Sequence, residues 1–250
     1  MTRRRFFAAP KAFERRLESV TLSGDEAKHL REVLRLKVGD EASVFDGEGR
    51  EFVGRIVESR RESARIAIDG EVPPARPESP LNLTLALSLL KGEKFDLAVQ
   101  KTTELGIKRI IPIVSKLADI RLREDVDVAK RVARWQRISL EAAKQSGRAF
   151  VPVIEAPQPF SSLVQENKSP GVLFSERDGQ PLHLALETIS ANNQGVVALV
   201  GSEGGWVDEE LQQARDAGWS IVTLGGRILR AETAAVAITA LLQHRLGDLV

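Results

Sequence analysis

Two short segments near the C-terminus carry the residue types from which a ligand site can be built. Gly201-Ser202-Glu203-Gly204-Gly205-Trp206 places three glycines in five residues. Such a run permits positive φ and lets a ligand approach the backbone closely, at an entropic cost that an ordinary turn rarely needs. The second segment, Leu224-Gly225-Gly226-Arg227-Ile228-Leu229-Arg230-Ala231-Glu232-Thr233-Ala234, leads into the apolar stretch AAVAITALLQHRL. Two arginines and a glutamate ahead of a helix so poor in polar residues are costly unless they serve a site or an interface. Alternatively, Glu232 and Thr233 simply favour a helix N-terminus through the macrodipole. Neither segment matches GxxxxGK[ST] or GxGxxG, so neither a phosphate cradle nor a dinucleotide fingerprint is supported. The chain has no cysteine, which excludes thiolate zinc sites, iron–sulfur clusters and a cysteine nucleophile. His29, His183 and His244 have no metal-ligand spacing.

Positioning those segments requires strands that end in them. VVALV runs into the first and IVTLGG into the second, and LNLTLALSLL (81–90), RIIPIVS (109–115), PVIEA (152–156) and GVLFSE (171–176) are four further apolar runs. Each is followed by a stretch able to form a helix: one over 93–105 closed by Gly106, one from about 125 to 146, and one that Asp208 can cap. Six such repeats predict an α/β fold with a parallel sheet covered on both faces. Ligands bind beyond the carboxyl ends of such strands, where both glycine-rich segments fall.

The segment EVPPARPESP (71–80) has four prolines in ten residues and reads as a linker over 73–80. Before it, ASVFD, REFVGRIVE and SARIAIDG alternate as hairpin strands, and Ser23 with Glu26 has capping-box spacing for a helix to about Arg35. The reading is a small, mostly β domain over 1–72 and a larger α/β domain over 81–250. Hydrophobic residues at 42% and charged at 28% are globular proportions; no apolar run reaches membrane-spanning length and no signal peptide is apparent, which predicts a soluble, cytosolic protein. The net charge of +1 hides an asymmetry: residues 81–150 carry 14 basic against 8 acidic side chains, and residues 151–250 carry 6 against 12. A polyanionic partner on one side of the molecule follows from that division, unless the charges merely solvate a face. Arg123, Lys130, Arg134, Arg137, Lys144 and Arg148 recur on one stripe of the long helix, spaced either to track phosphates or, with Asp127 and Glu141 among them, to pair with each other.

The strings RRFF (4–7), HLREVLRLKVGD (29–40), FDGEGREF (45–52), QKTTELGI (100–107), RWQRISLEAAKQSGR (134–148), GSEGGW (201–206) and LGGRILRAETAA (224–235) together resemble the RsmE family of bacterial 16S ribosomal RNA uracil-N3 methyltransferases. The likeness runs from end to end in order and spacing, with two departures: Ser202 stands where the family usually has proline, and SKLADIRL (115–122) differs from the usual segment after that strand. The resemblance implies a SPOUT-type parallel sheet with a C-terminal trefoil knot, a PUA-like N-terminal β-barrel that binds RNA, a homodimer, S-adenosylmethionine held bent in the knot loops, and no metal. It implies a product, N3-methyluridine, in the decoding region of the small subunit. Carried onto this sequence, Leu173, Phe174, Ser175, Val200, Gly201, Glu203, Gly204, Gly205, Leu224, Gly225, Leu229, Arg230, Glu232, Thr233 and Ala234 would bind the cofactor. Arg230 would stabilise the uracil anion, and Glu203 or Glu232 would be the base. Arg4, Arg5, His29, Arg31, Arg35, Arg134, Arg137 and Arg148 are the candidate RNA contacts; Phe6 and Phe7 either stack on bases or fill a core. Two alternatives stand beside this: a SPOUT enzyme acting on another RNA or a ribose 2′-hydroxyl, and a ribosome-assembly factor that binds RNA without catalysis.

Overall fold

The computed structural model describes residues 4–14, 16–118, 125–190 and 195–250. It divides into two units: Met1–Glu78 with Ala143–Val151, and Ser79–Ala142 with Pro152–Val250. No described helix is long and apolar enough to cross a membrane.

Unit 1 is built on a five-stranded sheet. Its elements are β1 (Arg5–Phe7), β2 (Ser19–Ser23), α1 (Gly24–Lys28), β3 (Glu41–Phe45), β4 (Glu51–Ser59) and β5 (Ser63–Val72). The strands lie in the order β1-β3-β4-β5-β2, with β1 parallel to β3 and the other pairs antiparallel. Alternate positions turn Val20, Leu22, Val44, Ile56 and Ile66 inward with Phe6 and Leu30, as the period of two dictates.

The expected capping box does not form, and the helix is shorter than predicted. Ser23 makes no side-chain cap. Glu26 instead accepts the Phe7 N–H at 3.2 Å and the Lys144 ammonium at 2.6 Å, because a cation and an unpaired strand N–H hold a carboxylate better than its own N-cap. After Lys28 the backbone widens into a π-turn over His29–Val33, in which the Leu34 N–H donates to the His29 carbonyl at 3.0 Å. It ends with Arg35 at φ +53°.

The division between the units also differs from the sequence reading. The proline-rich segment belongs to unit 1 as far as Glu78, since the Ala75 N–H donates to Glu51 at 2.9 Å and Arg76 bridges to Arg148. Residues 143–151, expected in the larger domain, also join unit 1, where the Val151 N–H donates to the Gly47 carbonyl and the Gly49 N–H to that of Ala149.

Unit 2 contains the six predicted strands and one short addition. In chain order its elements are β6 (Leu83–Ser88), α2 (Lys94–Glu104), β7 (Arg109–Val114), α3 (Asp125–Ser146, its last residues in unit 1), β8 (Val153–Ile154), β9 (Gln158–Pro159), α4 (Phe160–Glu166), β10 (Gly171–Phe174), α5 (Leu182–Ser190), β11 (Val196–Val200), α6 (Asp208–Asp216), β12 (Ser220–Val222) and α7 (Ala231–Leu246). The sheet is parallel throughout, in the order β12-β10-β11-β6-β7-β8, with β9 beside β7.

Every residue of β6 and β11 is buried, as expected of central strands covered on both faces. Leu85 and Leu87 of β6 pack with Phe95, Val99, Trp135, Ile238 and Leu242 on one face, while Ala86 packs with Ile111, Phe160, Trp206, Leu211 and Trp219 on the other. Truncating one of these leucines to alanine would cost about 2–5 kcal/mol. This rigid sheet carries the ends of β10, β11 and β12, from which the glycine-rich loops depart. At the start of α6 the N-cap is Val207, not Asp208: Glu210 takes the Val207 N–H at 3.3 Å, which frees Asp208 to pair with Arg177 at 2.7 Å.

Candidate active site

Beyond the carboxyl ends of β10, β11 and β12 lies a cavity of about 530 Å³. The volume is within the roughly 300–1,000 Å³ usual for small-molecule sites. Three walls form it: Phe174–Glu176 after β10, Val200–Trp206 after β11, and Thr223–Ala231 with Ala234 and Ile238 between β12 and α7.

The wall after β11 is held from below. The Gly205 N–H closes a tight turn onto the Ser202 carbonyl at 3.0 Å, and the Ser202 hydroxyl donates to the Leu117 carbonyl at 3.0 Å. Ser202, the departure from the usual proline, therefore ties this loop to the turn after β7. The Trp206 indole N–H donates to the Phe174 carbonyl at 2.9 Å, linking the first two walls. Gly205 needs its glycine for φ +70°. At Gly204 a Cβ would stand 2.9 Å from the Leu117 Cβ, so part of the glycine pattern serves packing and not ligand approach.

The third wall is different. Gly225 and Gly226 adopt φ +74° and +75°, a pair of left-handed residues that only glycine takes cheaply, and nothing lies within 4 Å of where their Cβ atoms would be. Their backbone is open to a ligand.

Charge is distributed unevenly around the rim. Arg227 and Arg230 line the cavity, are exposed, and have no ion-pair partner among the described residues. Arg230 is the N-cap of α7, its carbonyl accepting the Ala234 N–H at 2.8 Å, so the helix start fixes where its side chain departs. Glu203 also lines the cavity, with Lys94 donating to it at 2.8 Å. Burial acts to raise the Glu203 carboxyl, but the Lys94 hydrogen bond, backbone N–H groups and the Lys94 charge outweigh it and hold the group below the usual carboxylate value.

The structure brings together Phe174, Ser175, Val200, Gly201, Glu203, Gly204, Gly205, Leu224, Gly225, Leu229, Arg230 and Ala234, and leaves three expected residues out of the wall. Leu173 is buried in the core cluster with Trp206 and Trp219, one residue short of the strand tip. Glu232 is buried in the first turn of α7 with its Oε2 unpaired among the described residues, and Thr233 is exposed outside the cavity. The expected cofactor set omitted Glu176, Ser202, Trp206, Thr223, Gly226, Arg227, Ile228, Ala231 and Ile238. Glu176 was detectable as the first charged residue after an apolar strand; Ile238, two helical turns into α7, carried no local signal.

Among the expected RNA contacts, two require correction. Arg5 is nearly buried, pairing with Glu51 at 3.1 Å, donating to the Arg148 carbonyl and lying over the Phe45 ring. Arg148 is buried against Glu78 at 2.7 Å. Both carry the unit 1 interior, since a desolvated guanidinium must be paired. Arg31 is directed to the carbonyls of Arg60 and Arg61, Arg134 pairs with Asp96, and His29 is half-buried, edge-on to Phe6. Arg4, Arg35 and Arg137 are exposed. The helical stripe is thus largely self-engaged, with Lys144 on Glu26 as well; Arg123 and residues 119–122 of SKLADIRL lie outside the described residues. Phe6 is a core residue and Phe7 packs on Phe45, so neither is placed to stack on a base.

Comparison with known proteins places this arrangement in a family. The model of the RNA methyltransferase domain matches residues 77–243, and that of the RNA methyltransferase PUA domain matches residues 22–69. A ribosomal RNA small subunit methyltransferase E from Synechocystis is 33% identical over 86% of this chain and 70% of its own length. The crystal structure of ribosomal RNA small subunit methyltransferase E from Neisseria gonorrhoeae bound to S-adenosyl methionine superimposes with a TM-score of 0.86 at 33% identity, covering all of both chains. A methyltransferase from Legionella pneumophila in complex with the bound cofactor SAM gives the same TM-score at 26% identity, again over all of both chains. Built on a parallel α/β sheet with glycine-rich loops at its last strand tips, and matched over most of its length by the RNA methyltransferase domain, the chain belongs to the RsmE family of ribosomal RNA methyltransferases.

Proposed function

We propose that this protein transfers a methyl group from S-adenosylmethionine to N3 of a uridine in the decoding region of 16S ribosomal RNA, within the small subunit, in the cytoplasm. The observation that carries the reading is a cavity open to backbone at Gly225 and Gly226 and rimmed by Arg230, which has no ion-pair partner among the described residues. Apolar Leu224, Leu229 and Ile238 suit a purine face, backbone polar groups suit its edges and the ribose, and nothing in the loops resembles a phosphate cradle. When bound, the cofactor supplies an electrophilic methyl: its C–S bond breaks with the electron pair going to sulfur, the uracil N3 forms the new C–N bond, and the N3 proton leaves to a base.

The protein's residues have three tasks in that reaction. The walls orient N3 in line with the methyl, which removes much of the entropic barrier. Arg230 stabilises the negative charge that develops on the uracil carbonyl oxygens. Of the two carboxylates expected as base, Glu203 lines the cavity and Glu232 does not. Lys94 holds Glu203 as a carboxylate with a lowered pKa, which makes it a weak proton acceptor.

The remaining features of the reading have specific supports. For the trefoil knot, β12 is flanked by β10 on one side and by Gln180 on the other, with the Gln180 N–H on Ile221 and the Thr223 N–H on Gln180. The chain after β12 thus runs against the loop that leaves β10, so closely that a Cβ on Gly179 would stand 2.5 Å from the Thr223 nitrogen. For the homodimer, the middle of α7 is mostly apolar, yet Leu241 is exposed and Val236, Ala237 and Ala240 are half-buried, as expected of a helix covered by a second copy. RNA binding by unit 1 rests on Arg4 and Arg35, with Arg137 on α3.

The test is methyl transfer to 30S subunits from a strain lacking the protein, read by nucleoside analysis. N3-methyluridine is the expected product. Methyl on a ribose 2′-hydroxyl, or donor binding without transfer, would replace the reading with one of its alternatives.

A further inference from the structure

The cavity carries charges of both signs, and they are not equally available. Arg227 and Arg230 have no ion-pair partner among the described residues, while the charge of Glu203 is offset by Lys94. Glu176, at the end of the wall after β10, is the other carboxylate of the lining. Its two oxygens lie 3.1 and 3.2 Å from the point where a Cβ on Gly205 would stand, so it rests flat against the loop after β11.

The cation that pairs with Glu176, Arg177, is shared with other groups. Its guanidinium donates to Asp208 at 2.7 Å and to the Trp206 carbonyl at 3.2 Å, while its Nε stays 3.8 Å from Glu176. Those bonds fasten the segment after β10 to the loop after β11 and keep Glu176 on the cavity wall. Glu176, paired with Arg177 only through Nε at 3.8 Å, thus brings a partly offset negative charge to a site whose arginines have no ion-pair partner among the described residues.

We propose that Glu176 is the residue by which this cavity prefers the cationic sulfonium donor to its neutral thioether product. The inference rests on the S-adenosylmethionine reading above. Donor and product share the adenine, ribose and amino-acid parts and differ by one methyl group and one positive charge. Two arginines alone would disfavour the sulfonium and leave the product bound. A carboxylate on the same cavity wall opposes that effect, because Coulomb attraction acts on the sulfonium and not on the thioether. Glu176 is therefore a specificity-determining residue that speeds exchange of product for donor and takes no part in the transfer itself.

Calorimetric titration of the full-length protein and its Glu176→Gln variant with S-adenosylmethionine and S-adenosylhomocysteine tests this. The variant should bind the donor about tenfold more weakly and the product within about twofold of wild type. Glu176→Asp, which keeps the charge, should retain most of the preference. Equal weakening of both ligands would assign Glu176 to the shared ribose or amino group and overturn the proposal, as would unchanged affinity for both. Wild-type protein that binds neither ligand would refute the methyl-transfer reading and this inference with it, a result separate from any difference between variants. Glu176 is an exposed loop residue, and thermal unfolding of each variant confirms that the affinities refer to folded protein.

Discussion

In unit 1, Arg5 and Arg148 are driven inside, where Glu51 and Glu78 meet them at 3.1 and 2.7 Å; in unit 2, Arg227 and Arg230 stand exposed at a cavity rim without an ion-pair partner among the described residues. A buried guanidinium has already exchanged its water for protein oxygens and has little left to offer a ligand. An unpaired one beside a concave site keeps its hydrogen-bonding capacity for whatever charge develops there. Pairing and burial, not residue type, separate the arginines that hold the fold from those left available at the cavity.

The largest expected effect lies on the cavity side of that contrast. Arg230→Ala should lower single-turnover methyl transfer about 10²–10³-fold while donor affinity measured by calorimetry stays within about threefold. Wild-type turnover in the variant would remove Arg230 from the chemistry. On the unit 1 side, Arg148→Ala leaves Glu78 without its main cation and should cost about 3–5 kcal/mol in urea unfolding. If stability held while affinity for ribosomal RNA fell, Arg148 would be an RNA contact and the contrast would break.

Smaller effects sharpen it. Gly225→Ala meets no neighbour but must hold φ +74°, so a cost of about 1–2 kcal/mol should appear as weaker donor binding with little loss of overall stability. Lys94→Ala removes a partly exposed ion pair worth at most about 1 kcal/mol. Its pH signature has a definite sign. Glu203 is held below the ordinary value of 4.5, so its contribution to stability is fully present above that value and is lost as pH falls through the lowered one. Wild type should therefore exceed Lys94→Ala in stability by a constant amount above about pH 4.5, and the two curves should converge as pH falls below it.

How much could be read ahead of the structure depended on the range of the forces involved. The strands of unit 2 announced themselves because a strand covered on both faces must be apolar throughout, and VVALV is. The helix closed by Gly106 was equally legible, since that glycine sits at φ +89°, where other residues are strained. The capping box at Ser23 failed because Glu26 found Lys144, a partner 118 residues away, in preference to its own N-cap. Leu173 lies inside β10 and Ser175 just past its end, yet only Ser175 reaches the cavity.

Local composition and periodicity by themselves determined the parallel sheet, the positions of its strands and the two glycine-rich loops at their tips, because alternation, helix period and left-handed turns are set by neighbours in the chain. Only the tertiary structure decided which arginines are buried and which stand free, that Glu232 lies outside the cavity while Glu176 lines it, and that residues 143–151 join unit 1. Those outcomes depend on desolvation and on partners distant in sequence, and a charge cannot be assigned to interior or site until the fold shows what surrounds it.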